Sequence, residues 1–174
     1  VLHIVHKMLT RPERASAAPT NLRELIETAY QVMPRRSLVF VVSDFISAPG
    51  WAKPLALLAR RHEVIAVRLY DPLEMDLPDI GLFVMQDAET GEQLFIDTHD
   101  KGFRKRFAEL ARRRELELRE AFREAGVDAL ELATDDDLAD AILRFADLRK
   151  RRNQLAAGAT AKAARRAAHL EAVR

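Results

Sequence analysis

The stretch from Ser37 to Asp44 constrains the fold more than any other: Leu38, Val39, Phe40, Val41 and Val42 form an unbroken apolar run, closed by Ser43 and Asp44. A strand with one wet face alternates apolar and polar side chains. A run without alternation suits a strand covered on both faces, as in a parallel sheet layered between helices. A second such run, Glu63 to Tyr70, follows Pro49-Gly50 and a stretch near Trp51–Arg61 in which Leu55, Leu58 and Ala59 keep helical spacing. Strand, helix and strand in this order make a βαβ unit with parallel strands and a right-handed crossover.

The remaining elements fit around that unit. Leu2, Val5, Met8 and Leu9 have the spacing of the end of an amphipathic helix, and residues 10–20, with two prolines, read as a loop. Thr20 or Asn21 caps a helix running to about Val32, which Pro34 ends. Residues 82–86 and 93–97 make a β-hairpin whose turn contains Gly91. A long helix from about Lys101 to Ala125 carries a stripe of Phe103, Phe107, Leu110, Leu118 and Phe122, and Gly126 stops it. Residues 127–132 read as a third parallel strand, and Thr134 to Asp137 cap a last helix from Leu138 to about Arg149. The expected organisation is one α/β domain over residues 1–149, then a basic, alanine-rich tail over 150–174 that is solvated and has some helical character.

Composition excludes several function classes. With 28 Lys+Arg against 27 Asp+Glu the net charge is +1, which gives no general attraction to nucleic acid or membranes. The absence of cysteine removes disulfides, thiolate metal sites and cysteine nucleophiles, and suits a reducing compartment. No apolar run approaches the ~20 residues that cross a bilayer, and no secretory leader is visible. A cytoplasmic location is expected. The sequence opens on Val1 in place of Met, which reads as processing or as a cut from something longer.

Asp44 is the main candidate for chemistry. Ligands of open α/β sheets bind beyond the carboxyl ends of strands, where Asp44 stands; an aspartate there also commonly caps the turn that follows. Other signals are weaker. His3 and His6 lie on one helical face without a third ligand, and a surface or packing role suits them better. His62 sits at a helix end, and His99 and His169 show no partner in the sequence. Asp135, Asp136 and Asp137 suit a helix start better than a metal cluster. The cations between Arg104 and Arg114 are interleaved with glutamates, as on a solvated helix. Trp51 is either an interface anchor or a packing residue. Neither a Ser/His/Asp set nor a P-loop nor a GxGxxG is present.

The segments APTNL (18–22), SLVFVVSDF (37–45), LARRHEVIAVRLYDPLEMDLPDIGLFVMQDAETGEQLFIDT (58–98) and AGVDALELATDDD (125–137) resemble, in order and over residues 1–148, a von Willebrand factor A-like domain of the bacterial family called domain of unknown function 58. The resemblance implies a partial von Willebrand factor A-like (Rossmann-like) parallel sheet with flanking helices and an inserted β-hairpin. It also implies a metal-ion-dependent adhesion site, in which a D-x-S-x-S loop, a threonine and an aspartate hold Mg²⁺. Thr20 matches the threonine and Asp44 the aspartate, with Ser43 supporting the loop. Oxygen ligands of this kind suit Mg²⁺, which keeps waters that a partner's carboxylate can displace.

This sequence contains no D-x-S-x-S. The strand carrying that motif is expected upstream of Val1, beside the strand that ends at Asp44. The site is therefore expected to be incomplete here, with Mg²⁺ held by the full-length parent and none by this chain. The apolar strand 38–43 would be left as an open edge and a route to a homodimer or to aggregation. The resemblance implies a non-enzymatic protein–protein interaction module working with a MoxR-type AAA+ ATPase in complex assembly or maturation, with no nucleic acid and no membrane contact in this segment. Two alternatives stand beside it: a metal-dependent hydrolase or phosphotransferase using Asp44, and a nucleic-acid adaptor working through the basic tail.

Overall fold

The computed structural model describes residues 6, 9–10, 21–86, 91 and 93–172. The helix expected over 2–9, the loop over 10–20 and the hairpin turn therefore fall largely outside the described residues, as does Thr20.

Helix α1, Leu22–Val32, is capped by Asn21, whose side chain accepts the Glu24 backbone N–H at 3.2 Å. Its Leu22 and Ile26, four apart, are both 1% exposed. Strand β1, Leu38–Ser43, leads to α2, Ala52–Arg61, and then to β2, Glu63–Tyr70. A short 3₁₀ turn at Pro72–Glu74 is capped by Asp71. Next come β3, Leu82–Gln86, and β4, Gln93–Asp97, which pair antiparallel as a separate two-stranded sheet. Helix α3, Lys101–Ala125, starts at Asp100, whose carboxylate accepts the Gly102 and Phe103 N–H groups. It stops at Gly126, where φ of 66° suits a residue without Cβ. Strand β5, Asp128–Ala133, precedes α4, Leu138–Ala172. Asp137 starts α4 by accepting the Asp140 N–H at 2.9 Å.

The main sheet has the order β1-β2-β5, with both pairings parallel. Its two faces carry separate cores. On one face Val41, Val64 and Ala66 pack with Leu22, Ile26, Leu55, Leu58, Leu118 and Phe122 from α1, α2 and α3. Burying each large side chain contributes roughly 1.5–3 kcal/mol. On the other face Ile65, Val67 and Leu132 meet Ala141 and Phe145 of α4.

The expectation that β1 is covered on both faces is corrected. Val41 is 8% exposed, but Leu38, Phe40 and Val42 are 52%, 56% and 57% exposed. The reason is positional: among the described residues β1 has β2 as its one strand neighbour, and α4 packs over β2 and β5. A groove of about 660 Å³ remains between Leu38 and Phe40 on one side and Ile142 and Phe145 on the other.

The last helix does not close near Arg149 but continues to Ala172, so no helix break marks the expected boundary at 149/150. Alanine-rich sequence beyond Leu155 favours helix by intrinsic propensity. Arg149 fastens α4 to the sheet by pairing with Glu63 and, at 3.0 Å, with Asp128; Arg152 reaches the same Asp128 oxygen at 2.5 Å. These guanidinium groups, Arg152 first, hold the Asp128 carboxyl below its ordinary value against the opposing effect of burial.

Candidate functional site

Asp44 leaves the carboxyl end of β1 exposed to solvent. One of its oxygens, Oδ1, accepts the Ile46 N–H at 2.9 Å and the Ser43 hydroxyl at 3.3 Å. Ser43 Oγ in turn accepts the Phe45 N–H at 3.0 Å. Ser43 and Asp44 thus shape the loop, so the capping role considered for Asp44 is real and occupies Oδ1.

Phe45 has φ of 60°, the left-handed region, which is costly for a residue with a Cβ. Its ring is what offsets that cost. Phe45 is 6% exposed, with ring centroids 4.8 Å from Phe122 in an edge-on arrangement and 5.3 Å from Trp51. Trp51, itself 8% exposed, is a packing residue of this cluster. Two residues after Phe45, Ser47 Oγ accepts the Leu22 N–H at 3.1 Å, which ties the start of α1 to the Asp44 loop. Leu22 lies two positions after Thr20; Thr20 and any meeting with Asp44 lie outside the described residues.

The loop forms one wall of a cleft of about 260 Å³, faced by Arg68, Met75, Arg114 and Glu117. Arg68 stands opposite Ser43 in the β1–β2 register and is 5% exposed. It pairs with Glu115 of α3, and its guanidinium lies 4.8 Å from the Tyr70 ring centroid. Among the described residues its Nε has no hydrogen-bond partner. Glu115 also reaches Arg119 at 3.5 Å, and Arg119 reaches Glu131 of β5 at 3.5 Å, so a charged chain links α3 to the sheet. Burial, followed by Asp136 and Glu131, raises the Tyr70 hydroxyl above its ordinary value. Among the described residues, no group of three or more His, Cys, Asp or Glu side chains could hold a metal ion.

The histidines resolve differently from one another. His99, without a partner in the sequence, has its Nδ1 2.6 Å from Asp79, and Arg104 reaches the other Asp79 oxygen at 2.9 Å. His62 is 3% exposed and accepts the Ser37 N–H on Nδ1 at 3.3 Å, bracing the entry to β1. His6 is exposed, and His3 lies outside the described residues. Arg68, Glu115 and Ser47 were missed as site residues by sequence reasoning. A lone arginine within the apolar run EVIAVRLY was the available signal, because a buried charge requires a partner.

The family model "Protein of unknown function DUF58" matches residues 1–117. The chain belongs to the DUF58 family. An uncharacterized protein of Mycobacterium avium is 37% identical over 138 residues, covering 77% of this chain and 81% of the relative. Uncharacterized proteins of Mycobacterium bovis and Mycobacterium tuberculosis are each 33% identical over 150 residues, covering 84% of this chain and 47% of the relative. The chain thus spans about half the length of those two relatives. A crystal structure of the conserved hypothetical protein BatB from Bacteroides thetaiotaomicron superposes with a TM-score of 0.40 at 16% identity, covering 87% of this chain and 70% of that one. Among the described residues no helix is long and apolar enough to cross a membrane.

Proposed function

We propose that this DUF58 chain is part of a von Willebrand factor A-like, non-enzymatic protein–protein interaction module, whose partner is a MoxR-type AAA+ ATPase. The observation that carries the reading is the position of Asp44: an exposed carboxylate at the end of a parallel strand, on a loop held by Ser43 and Phe45 and tied through Ser47 to the start of α1. That arrangement suits an ion ligand. Asp44 Oδ1 serves the loop, and its other oxygen would face the ion.

In this reading Thr20 supplies the hydroxyl, Ser43 supports the loop, and a D-x-S-x-S segment from outside the 174 residues completes the Mg²⁺ site. The ion would hold waters that an acidic partner side chain displaces. The present chain, with one hydroxyl and one carboxylate, would bind Mg²⁺ weakly or not at all. The module would work in the cytoplasm, away from nucleic acid and membrane.

The test is retention of the ATPase by the full-length protein. Retention in Mg²⁺, lost on chelation and with Asp44→Ala, is expected. Phosphoester hydrolysis that disappears with Asp44→Ala would replace the module with the enzyme reading. Salt-sensitive DNA binding lost on removing residues 150–174 would replace it with the adaptor reading.

A further inference from the structure

The cleft beside the Asp44 loop lies on the paired side of β1, away from the side that a further strand would join. Arg68 of β2, in register with Ser43, forms part of its wall. Every residue that lines it is described. Two cations there lack acceptors. Arg68 is 5% exposed, and among the described residues its hydrogen-bond partner is Glu115, on Nη1, while Nε has none. A buried guanidinium with an unused edge is costly, and that edge matches the two oxygens of a carboxylate. Arg114, exposed on the same cleft, pairs with no carboxylate among the described residues.

The opposite charge is present as well. Glu74, half-buried at the end of the 3₁₀ turn, lines the cleft, and its carboxylate has no partner among the described residues. Glu117 also lines it and reaches Arg113 at 3.9 Å. The rest of the wall is largely apolar: Phe45, Trp51 and Leu118 are 6%, 8% and 8% exposed, and Met75 lines the same space. The volume, about 260 Å³, falls below the ~300–1,000 Å³ of cavities that enclose a drug-sized ligand or a cofactor. A simple ion would leave the apolar wall bare. A molecule the size of one amino acid, carrying an anion, a cation and an apolar group, uses every part of the lining.

We propose that this cleft binds a free α-amino acid with a large apolar side chain. Its carboxylate meets Arg68 and Arg114, its ammonium meets Glu74 and Glu117, and its side chain packs against Trp51, Met75 and Leu118. Two guanidinium groups then face two carboxylates, that of Glu115 and that of the ligand, so the sheltered charges balance. The occupant also rests against Phe45 and Trp51, and through them steadies the loop that carries Asp44. Neither an ion at Asp44 nor the ATPase enters the inference, so it and the proposed function can fail separately.

Equilibrium dialysis of labelled L-leucine against the 174-residue chain tests the proposal, with amide chemical shifts to locate the ligand. Saturable binding of one leucine per chain is expected, with shifts concentrated at residues 44–51, 74–75 and 111–118. Leucinamide, which lacks the carboxylate, and N-acetyl-leucine, which lacks the ammonium, should each bind at least about tenfold more weakly, and glycine should not compete. Glu74→Gln should weaken leucine about tenfold and leave N-acetyl-leucine unchanged, whereas Arg114→Gln should weaken both. Neither change touches the buried core, and circular dichroism confirms that each variant is folded. Failure of leucine to bind, shifts centred elsewhere, or variants that bind like the wild type would overturn the proposal. N-acetyl-leucine binding as tightly as leucine would also overturn it, and would assign the cleft to the carboxyl terminus of a polypeptide.

Discussion

The hydroxyl of Ser47 accepts the backbone N–H of Leu22 at 3.1 Å, joining the first residue of α1 to the loop that begins at Asp44. The first N–H groups of a helix have no partner within it, and Asn21 already satisfies that of Glu24. Ser47→Ala removes the partner of a second one. The expected loss is about 1 kcal/mol in urea unfolding, with an unchanged slope, and faster amide exchange at the start of α1.

Phe45 should invert the usual order of small substitutions. Removing its ring empties a place between Trp51 and Phe122 and should cost about 3–5 kcal/mol as Phe45→Ala. At φ of 60° a glycine backbone is relaxed where an alanine is strained. Phe45→Gly should therefore be about 1 kcal/mol more stable than Phe45→Ala, measured by chemical unfolding of both. The reverse ranking would show that the loop does not keep this conformation.

Arg68 and Glu115 are both well buried, with side chains 6% and 13% exposed. Glu115→Ala leaves a buried guanidinium uncompensated and should destabilise by about 3–5 kcal/mol. Replacing both, as Arg68→Met with Glu115→Leu, should cost much less than the single change. Equal losses from the two variants would refute the pairing as the reason for the burial.

Acid should loosen α4 before the rest. The Asp128 carboxyl is held below its ordinary value of 3.8 chiefly by the hydrogen bond from Arg152. A depressed carboxylate contributes stability that is complete above its unfolded value and lost as pH falls through its folded one. The contribution should be intact at pH 5 and above (roughly one unit clear of the ordinary value) and fade below about pH 4. Asp128→Asn should remove that part of the pH dependence and cost about 1 kcal/mol at neutral pH, read from unfolding curves at several pH values.

Most elements were legible because their signals are local. Asn21, Asp100, Asp137 and Gly126 end helices through groups within a few residues of themselves. The parallel pairing of β1 with β2 and of β2 with β5 follows from apolar runs separated by helices. The exposure of Phe40 was not legible in the run itself, because the same five apolar residues describe a strand with two neighbours or with one. The Asp79–His99 and Arg68–Glu115 pairs join residues 20 and 47 positions apart, beyond any helical or strand period. Asp44 was legible from its place at a strand end, whereas Phe45's left-handed backbone had no glycine or asparagine to announce it.

That backbone kink gives the molecule an optical property. The chain has one tryptophan, and the aromatic ring next in sequence to Asp44 rests against it. A rearrangement of the loop that turns the peptide shared by Asp44 and Phe45 would shift the Phe45 ring and disturb the surroundings of that indole. Its emission is thus a built-in gauge of what happens at the end of β1, with no label required.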